Sequence, residues 1–197
     1  MYAHFKSYIQ ERSPLRASDW ERIQKVFQPL TLASGEHILE EGQICRNLYF
    51  LDRGLLRYYN WIDGMDRTKF FTFESQLFTS QGSFSEALPS TENIQAIEPS
   101  QVRFTDRQTA KQLFAEIPAW ATFVRSIIID VQVWTSDLLL ESLHLTAEQR
   151  YLSILQQKPE WIQRIPLKYL ASYLGIAPES LSRIRRKLRS SQGANLT

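Results

Sequence analysis

Residues 167–186 (LKYLASYLGIAPESLSRIRR) constrain the fold of this chain more than any other stretch. Ala171 is a small residue placed where one helix must let another approach closely. Gly175 follows, a residue that enters a left-handed turn without steric cost. Leu170, Leu174, Ile176, Leu181 and Ile184 fall where two short crossed helices bury their shared seam. Pro166 and Pro178 stand at the opening of each helix, where a missing N–H costs little. After the turn come Glu179, Ser180, Arg183, Arg185, Arg186 and Lys187, groups suited to base edges and phosphates. A helical hairpin with a merely solvated basic face would not need the alanine, the glycine and five apolar positions together. The pattern predicts a DNA-binding helix-turn-helix.

Charge distribution points the same way. The net charge is only +2, but residues 144–197 hold nine Lys/Arg against three Asp/Glu, so the acidic balance lies in residues 1–143. A basic tail on an acidic body suits polyanion binding at one end. The 197 residues, 43% hydrophobic and 22% charged, have the balance of a soluble globular protein. No apolar run reaches the ~18–20 residues needed to span a bilayer, and no signal-peptide core opens the chain, so a cytoplasmic protein without membrane contact is expected. The single cysteine, Cys45, excludes an intrachain disulfide and a cysteine-only metal cluster. His4, His37 and His144 are scattered, and only His37 lies in the β-rich part, too few for a cupin-type metal site. No Ser-His-Asp spacing, phosphate-binding glycine loop or zinc signature is found. The expectation is therefore no enzyme, no catalytic residue, no metal and no resident cofactor.

The rest of the chain reads as two textures. Ser18 is placed to cap a helix burying Trp20, Ile23, Val26 and Phe27. From residue 30 to 105, turn signals at Ser34-Gly35, Glu41-Gly42, Arg53-Gly54 and Asp63-Gly64 separate strand-like stretches at 48–51, 55–61 and 69–73. That spacing predicts an antiparallel β-sandwich or jelly roll. A long helix is expected over about 107–143. Along it Ile117, Trp120, Val124, Ile127, Val131, Trp134 and Leu138 form a stripe at heptad spacing, and Ile128, Val133, Leu139 and Leu140 form a second apolar surface. One surface can cover the β-domain while the other meets a second subunit. Trp120, Val124, Ile127, Val131, Trp134 and Leu138 are the expected dimer seam, since a two-fold DNA reader needs a partner. Thr146 should cap a further helix through about residue 157. The whole is an α+β chain: an effector domain over 1–143, and a winged-helix-type helix-turn-helix over 144–197.

This order of elements resembles the Crp–Fnr family of bacterial transcription regulators over nearly the whole chain. In the first domain the resemblance rests on LASGEHILEEGQICRNLYFLDRGLLRYY, with Gly35, Gly42, Tyr49 and Gly54 at the turns and core of a cyclic-nucleotide-binding fold; in the last it rests on the helix-turn-helix. The resemblance implies double-stranded DNA, a second copy of the chain and RNA polymerase as partners. Family members that bind cyclic AMP resemble one another in a Gly-Glu pair and, about ten residues later, an Arg-Ser pair that together hold ribose and phosphate. Thr79-Ser80 and Ser90-Thr91 stand at those places here, without the carboxylate or the guanidinium. A desolvated phosphate needs a cation or several strong donors. Cyclic AMP and cyclic GMP are thus not expected as effectors, and the effector is left unidentified. Phe70, Phe71, Phe73, Phe78 and Phe84 are expected to fill the sandwich core rather than an apolar effector pocket. The competing reading is a degenerate sensor that acts through protein contacts without specific DNA binding.

Overall fold

The computed structural model describes residues 3–194. Helices α1 (Ala3–Gln10) and α2 (Ala17–Val26) lead into β1 (Gln28–Leu32), β2 (His37–Leu39), β3 (Asn47–Arg53), β4 (Leu56–Ile62), β5 (Met65–Thr72) and β6 (Gln76–Phe78). Then follow α3 (Gln81–Glu86), β7 (Asn93–Ala96), β8 (Ser100–Asp106), α4 (Arg107–Glu116), α5 (Pro118–His144), α6 (Ala147–Gln157), α7 (Pro159–Arg164), α8 (Leu167–Leu174) and α9 (Pro178–Ala194). By their contacts the described residues form two compact units. The first runs through residue 60 and resumes over 70–134; the second comprises 61–69 and everything from 135 onward.

In the first unit the strands form two four-stranded sheets, ordered β1-β8-β3-β6 and β2-β7-β4-β5. Alternation along β3 assigns its side chains to two cores. Tyr49 and Leu51 point between the sheets, packing with Leu56, Tyr58, Phe78, Ile94 and Val102. Leu48 and Phe50 point outward to a helical layer of Phe5, Ile9, Ile23, Phe27, Leu113 and Trp120. Phe5 stacks on Phe50 at 4.3 Å and meets Phe27 edge-on at 4.9 Å, so the N-terminal helix is fastened to the sheet by aromatic contacts. Of the five phenylalanines expected in the sandwich, Phe78 is in its core, while Phe70 and Phe84 pack at its margin. Gly54 turns β3 into β4 with φ +117°, and a Cβ there would lie 2.2 Å from Ser100 Oγ, so no other residue fits the turn.

Two local expectations are corrected. Helix α2 begins at Ala17, not after Ser18; Arg16 is its N-cap and has its Nε 3.0 Å from Asp19, whose carboxylate sits in the first turn. The helical stretch after Asp106 is also two helices. Pro118 lacks the N–H that would continue α4 and forces Ile117 into an extended conformation, with φ −117° and ψ 98°. Asp106 itself caps α4, accepting from the Thr109 N–H at 2.9 Å.

In the second unit α6 opens with a full capping box between Thr146 and Gln149, as its sequence predicts. Tyr151, Ile154, Trp161, Ile165, Leu170, Ala171, Leu174 and Leu181 are its buried apolar residues. Among the described residues no strand follows β8. Helix α9 instead runs on through Ala194, so the wing expected of this unit is not found there.

Candidate nucleic-acid interface and effector cassette

Helices α8 and α9 are joined by a turn whose geometry is set by Gly175, at φ +72°. The Ile176 N–H donates to the Ala171 carbonyl at 3.0 Å and the Gly175 N–H to that of Ser172 at 3.0 Å. This double closure satisfies the last carbonyls of α8 and reverses the chain for α9. Leu170, Ala171, Leu174 and Leu181 are all buried in the seam, while Ile176 and Ile184 border it. Arg150 from α6 adds a charged donor at the negative end of α8, its Nη2 lying 2.6 Å from the Leu174 carbonyl.

The six polar residues expected on the interface do not share one face. Glu179, Arg183 and Arg186, spaced four and three apart, are exposed together. Ser180 is half-buried beside them. Arg185 turns the other way: its guanidinium lies over the Tyr151 ring at 5.6 Å, with Nε and Nη2 buried without a hydrogen-bond partner. Lys187 is exposed but reaches Glu148 on α6 at 2.8 Å. These two cations hold α9 against α6. Arg189, three residues beyond Arg186, is exposed and extends the outward row. Sequence reasoning passed it over, although the three-residue spacing was the available signal. Tyr173, on α8, packs edge-on against Trp161 at 5.8 Å, and its hydroxyl is pushed up to about 12 by burial and by the Glu141 carboxylate.

The cassette in the first unit is a closed polar knot. Ser80 is 4% and Ser90 3% exposed, their hydroxyl oxygens 3.3 Å apart. Ser80 donates to Glu92 Oε1 at 2.8 Å, and Ser90 donates to the Glu92 carbonyl at 2.8 Å while accepting from its N–H. Backbone bonds pin the loop further: Gly42 N–H to the Ser90 carbonyl at 2.8 Å, and Ser90 N–H to that of Gln43 at 2.7 Å. Thr79 turns to the Asn47 carbonyl at 3.0 Å and to Cys45 Sγ at 3.3 Å. The Thr91 carbonyl accepts from Asn60 Nδ2 on β4. The Tyr58 hydroxyl donates to the Thr79 carbonyl at 3.4 Å and is driven far above the ordinary phenol range by burial first and the Glu92 carboxylate second. Glu92, buried at 8% exposure, is the residue that sequence reasoning missed. Nothing in its local pattern distinguishes it from a solvated glutamate. Its side chain occupies the place where the serines meet.

On α5, Trp120 and Ile127 are 1% and 9% exposed and belong to the unit's own core, with Val124 packed against them. Val131 is exposed, and Trp134 and Leu138 are half-buried. Trp134 meets Phe70 edge-on at 5.4 Å. The large apolar residues left open along this helix are instead Ile128, Ile129, Val131, Val133, Leu139, Leu140 and Leu143. No helix among the described residues is long and apolar enough to cross a membrane. No cluster of His, Cys, Asp and Glu among them is arranged to hold a metal.

Residues 29–116 match the family model of the cyclic nucleotide-binding domain. No curated protein sequence matches the chain. Among solved structures it is similar to FixK2 from Bradyrhizobium japonicum, with 18% identity and a TM-score of 0.72 over 85% of this chain and 86% of that one. It is also similar to CLP, a c-di-GMP responsive global regulator of Xanthomonas campestris, at 18% identity and a TM-score of 0.71, covering 90% of this chain and 93% of that one. A chain from Eubacterium rectale described as a transcriptional regulator of the crp/fnr family matches with 16% identity and a TM-score of 0.71, covering 90% and 85%. The fold is similar to that of these chains.

Proposed function

We propose that this chain is a cytoplasmic, non-enzymatic transcription regulator of the Crp–Fnr type, acting as a homodimer on a palindromic operator. The observation that carries the reading is the exposed row Glu179, Arg183 and Arg186 on α9, presented by a tightly closed turn. In this reading residues 144–197 are the DNA-binding domain and 1–143 the effector domain. Arg183 pairs with the O6 and N7 of a guanine, and Glu179 accepts from a cytosine amino group. Ser180, Arg186 and Arg189 meet phosphates. Pro178 stands where the family resemblance places a third base reader, so the operator departs from the family's common form. RNA polymerase is the further partner the resemblance implies. Cyclic AMP and cyclic GMP are not its effectors, because Ser80 and Ser90 stand where the family resemblance places the ribose carboxylate and the phosphate guanidinium.

Dimerisation runs along α5. The open residues Ile129, Val133, Leu140 and Leu143 are separated by four, seven and three positions, a heptad-like row suited to a second copy. Two substitutions there, Val133→Asp with Leu140→Asp, should yield a monomer by light scattering; an unchanged dimer mass would sink the seam. Ile127→Asp would instead unfold the core.

The direct test is selection of bound fragments from random-sequence DNA by the full chain, followed by a gel shift with the enriched duplex. A two-fold symmetric site is expected. Arg183→Ala should weaken it about ten- to a hundredfold, a loss of about 1–3 kcal/mol, and relax the preference at one base pair per half-site. No enrichment, or equal binding by Arg183→Ala, would defeat the reading. Titration calorimetry with cyclic AMP and cyclic GMP should give no low-micromolar dissociation constant.

A further inference from the structure

Within the second unit, helix α6 reaches the α8–α9 pair through three side chains on its first turns. Glu148 meets Lys187 of α9 at 2.8 Å, but Lys187 is 67% and Glu148 35% exposed, so the pair contributes little. The Tyr151 ring receives the Arg185 guanidinium at 5.6 Å. Arg150 differs from both, because its partner is backbone: Nη2 donates to the Leu174 carbonyl, 24 residues on, at 2.6 Å. The turn after α8 closes through the Ala171 and Ser172 carbonyls, which accept the Ile176 and Gly175 N–H groups. The Leu174 carbonyl, nearest the turn, is taken by the guanidinium. A Cβ added at Gly175 would have Arg150 Nη2 as its neighbour at 4.0 Å, so the cation lies against the turn itself. The Tyr173 hydroxyl lies in the field of the same cation and of Glu141 on α5. Arg150 Nε, by contrast, is buried without a hydrogen-bond partner among the described residues. An unsatisfied buried N–H is costly to keep. Here the guanidinium stands at the negative end of α8, where its charge and one short bond offset that cost.

We propose that Arg150 is a positioning residue: it pins the α8–α9 turn to α6 and so fixes the direction in which α9 presents Glu179, Arg183 and Arg186. The apolar seam of Leu170, Leu174 and Leu181 supplies most of the cohesion of the pair, but that force is non-directional. A charge-assisted bond to one carbonyl is directional and sets the angle at the turn. Glu179 and Arg183 read bases only where their side chains meet base edges. A small rock of α9 therefore costs selectivity before it costs phosphate contacts. The clamp is a property of the second unit alone; its consequence for base reading rests on the proposed function.

Hydrogen exchange followed by mass spectrometry on the full chain tests the clamp without DNA. Arg150→Ala should speed exchange over 172–181 about tenfold or more, the factor expected for a lost charge-assisted hydrogen bond. Arg150→Lys, which keeps a cation and a donor, should recover part of the protection. Glu148→Ala, at the exposed pair, should change the same segment by less than about threefold. Should Arg150→Ala unfold the unit, Arg150→Met, which keeps an aliphatic stem without a donor, takes its place. Unchanged exchange over 172–181 would overturn the proposal, and so would an equal effect from Glu148→Ala. The gel shift then reads positioning. Arg150→Ala should bind the enriched duplex about tenfold more weakly, with its affinity for non-specific DNA and the salt slope unchanged, since no phosphate contact is lost. A parallel loss on both DNAs would overturn the positioning role and leave Arg150 a stabilising residue only. Loosened exchange in a chain that enriches no DNA would defeat the regulator reading and leave the clamp standing.

Discussion

The cassette and helix α9 handle polar side chains in opposite ways. At Ser80, Ser90 and Glu92 the hydroxyls and the carboxylate are spent on one another and on nearby backbone, all buried. On α9 the row Glu179, Arg183 and Arg186 stays open to solvent, while Arg185 and Lys187 are turned to Tyr151 and Glu148. A site whose groups are already paired must break bonds to take a ligand; a site whose groups are solvated loses only water and counterions. The difference is between a surface whose charges remain solvated and a cluster whose hydroxyls are already bonded.

The most disruptive way to break this contrast is to remove the support of the open surface. Leu170 is fully buried under it, so Leu170→Ala should cost about 2–5 kcal/mol and abolish sequence-selective DNA binding. A chemical denaturation curve and the gel shift together check this, and wild-type behaviour in both would mean that α9 does not depend on the seam. Next comes the closed site. Glu92→Ala leaves the buried Ser80 hydroxyl without the acceptor it uses at 2.8 Å and should destabilise the chain by about 1–3 kcal/mol, with Glu92→Gln losing less because an oxygen remains. If Glu92→Ala instead created low-micromolar cyclic AMP binding, the carboxylate alone would be what shuts the cassette.

Smaller effects sharpen the comparison. Asp106 caps α4 in the first unit and Thr146 caps α6 in the second. Each should cost about 1 kcal/mol on replacement by alanine. Only one of these contributions titrates. The Thr109 hydroxyl and backbone N–H hold the Asp106 carboxyl below its ordinary value, so its stabilisation is complete above the usual carboxylate range and is lost as pH falls through the lowered value. Denaturation of Asp106→Ala and wild type at neutral and acid pH should therefore converge in acid, while the Thr146→Ala difference persists. Smallest is the separation among the cations of α9. Arg186→Ala should reduce the salt dependence of DNA binding by about one phosphate contact, whereas Arg185→Ala should leave that slope unchanged and act on stability. Equal slopes for the two variants would show that Arg185 also reaches the DNA.

What the sequence determined by itself is the part held together by near neighbours. The turn at Gly175, the proline starts of α8 and α9, the Thr146 capping box and the turn glycines of the β-domain each depend on residues within a few positions. Those interactions exist wherever the segment folds. The tertiary structure alone decided which apolar surface of α5 is covered, because Trp120 and Ile127 are chosen by Phe5, Phe27 and Phe50, far away in the chain. It alone brought Glu92 to Ser80 and Ser90, and set Arg185 against Tyr151 rather than beside Arg183. The spacing along α5 and α9 defines rows of side chains, but burial of a row is a contest between distant partners. Only packing settles it.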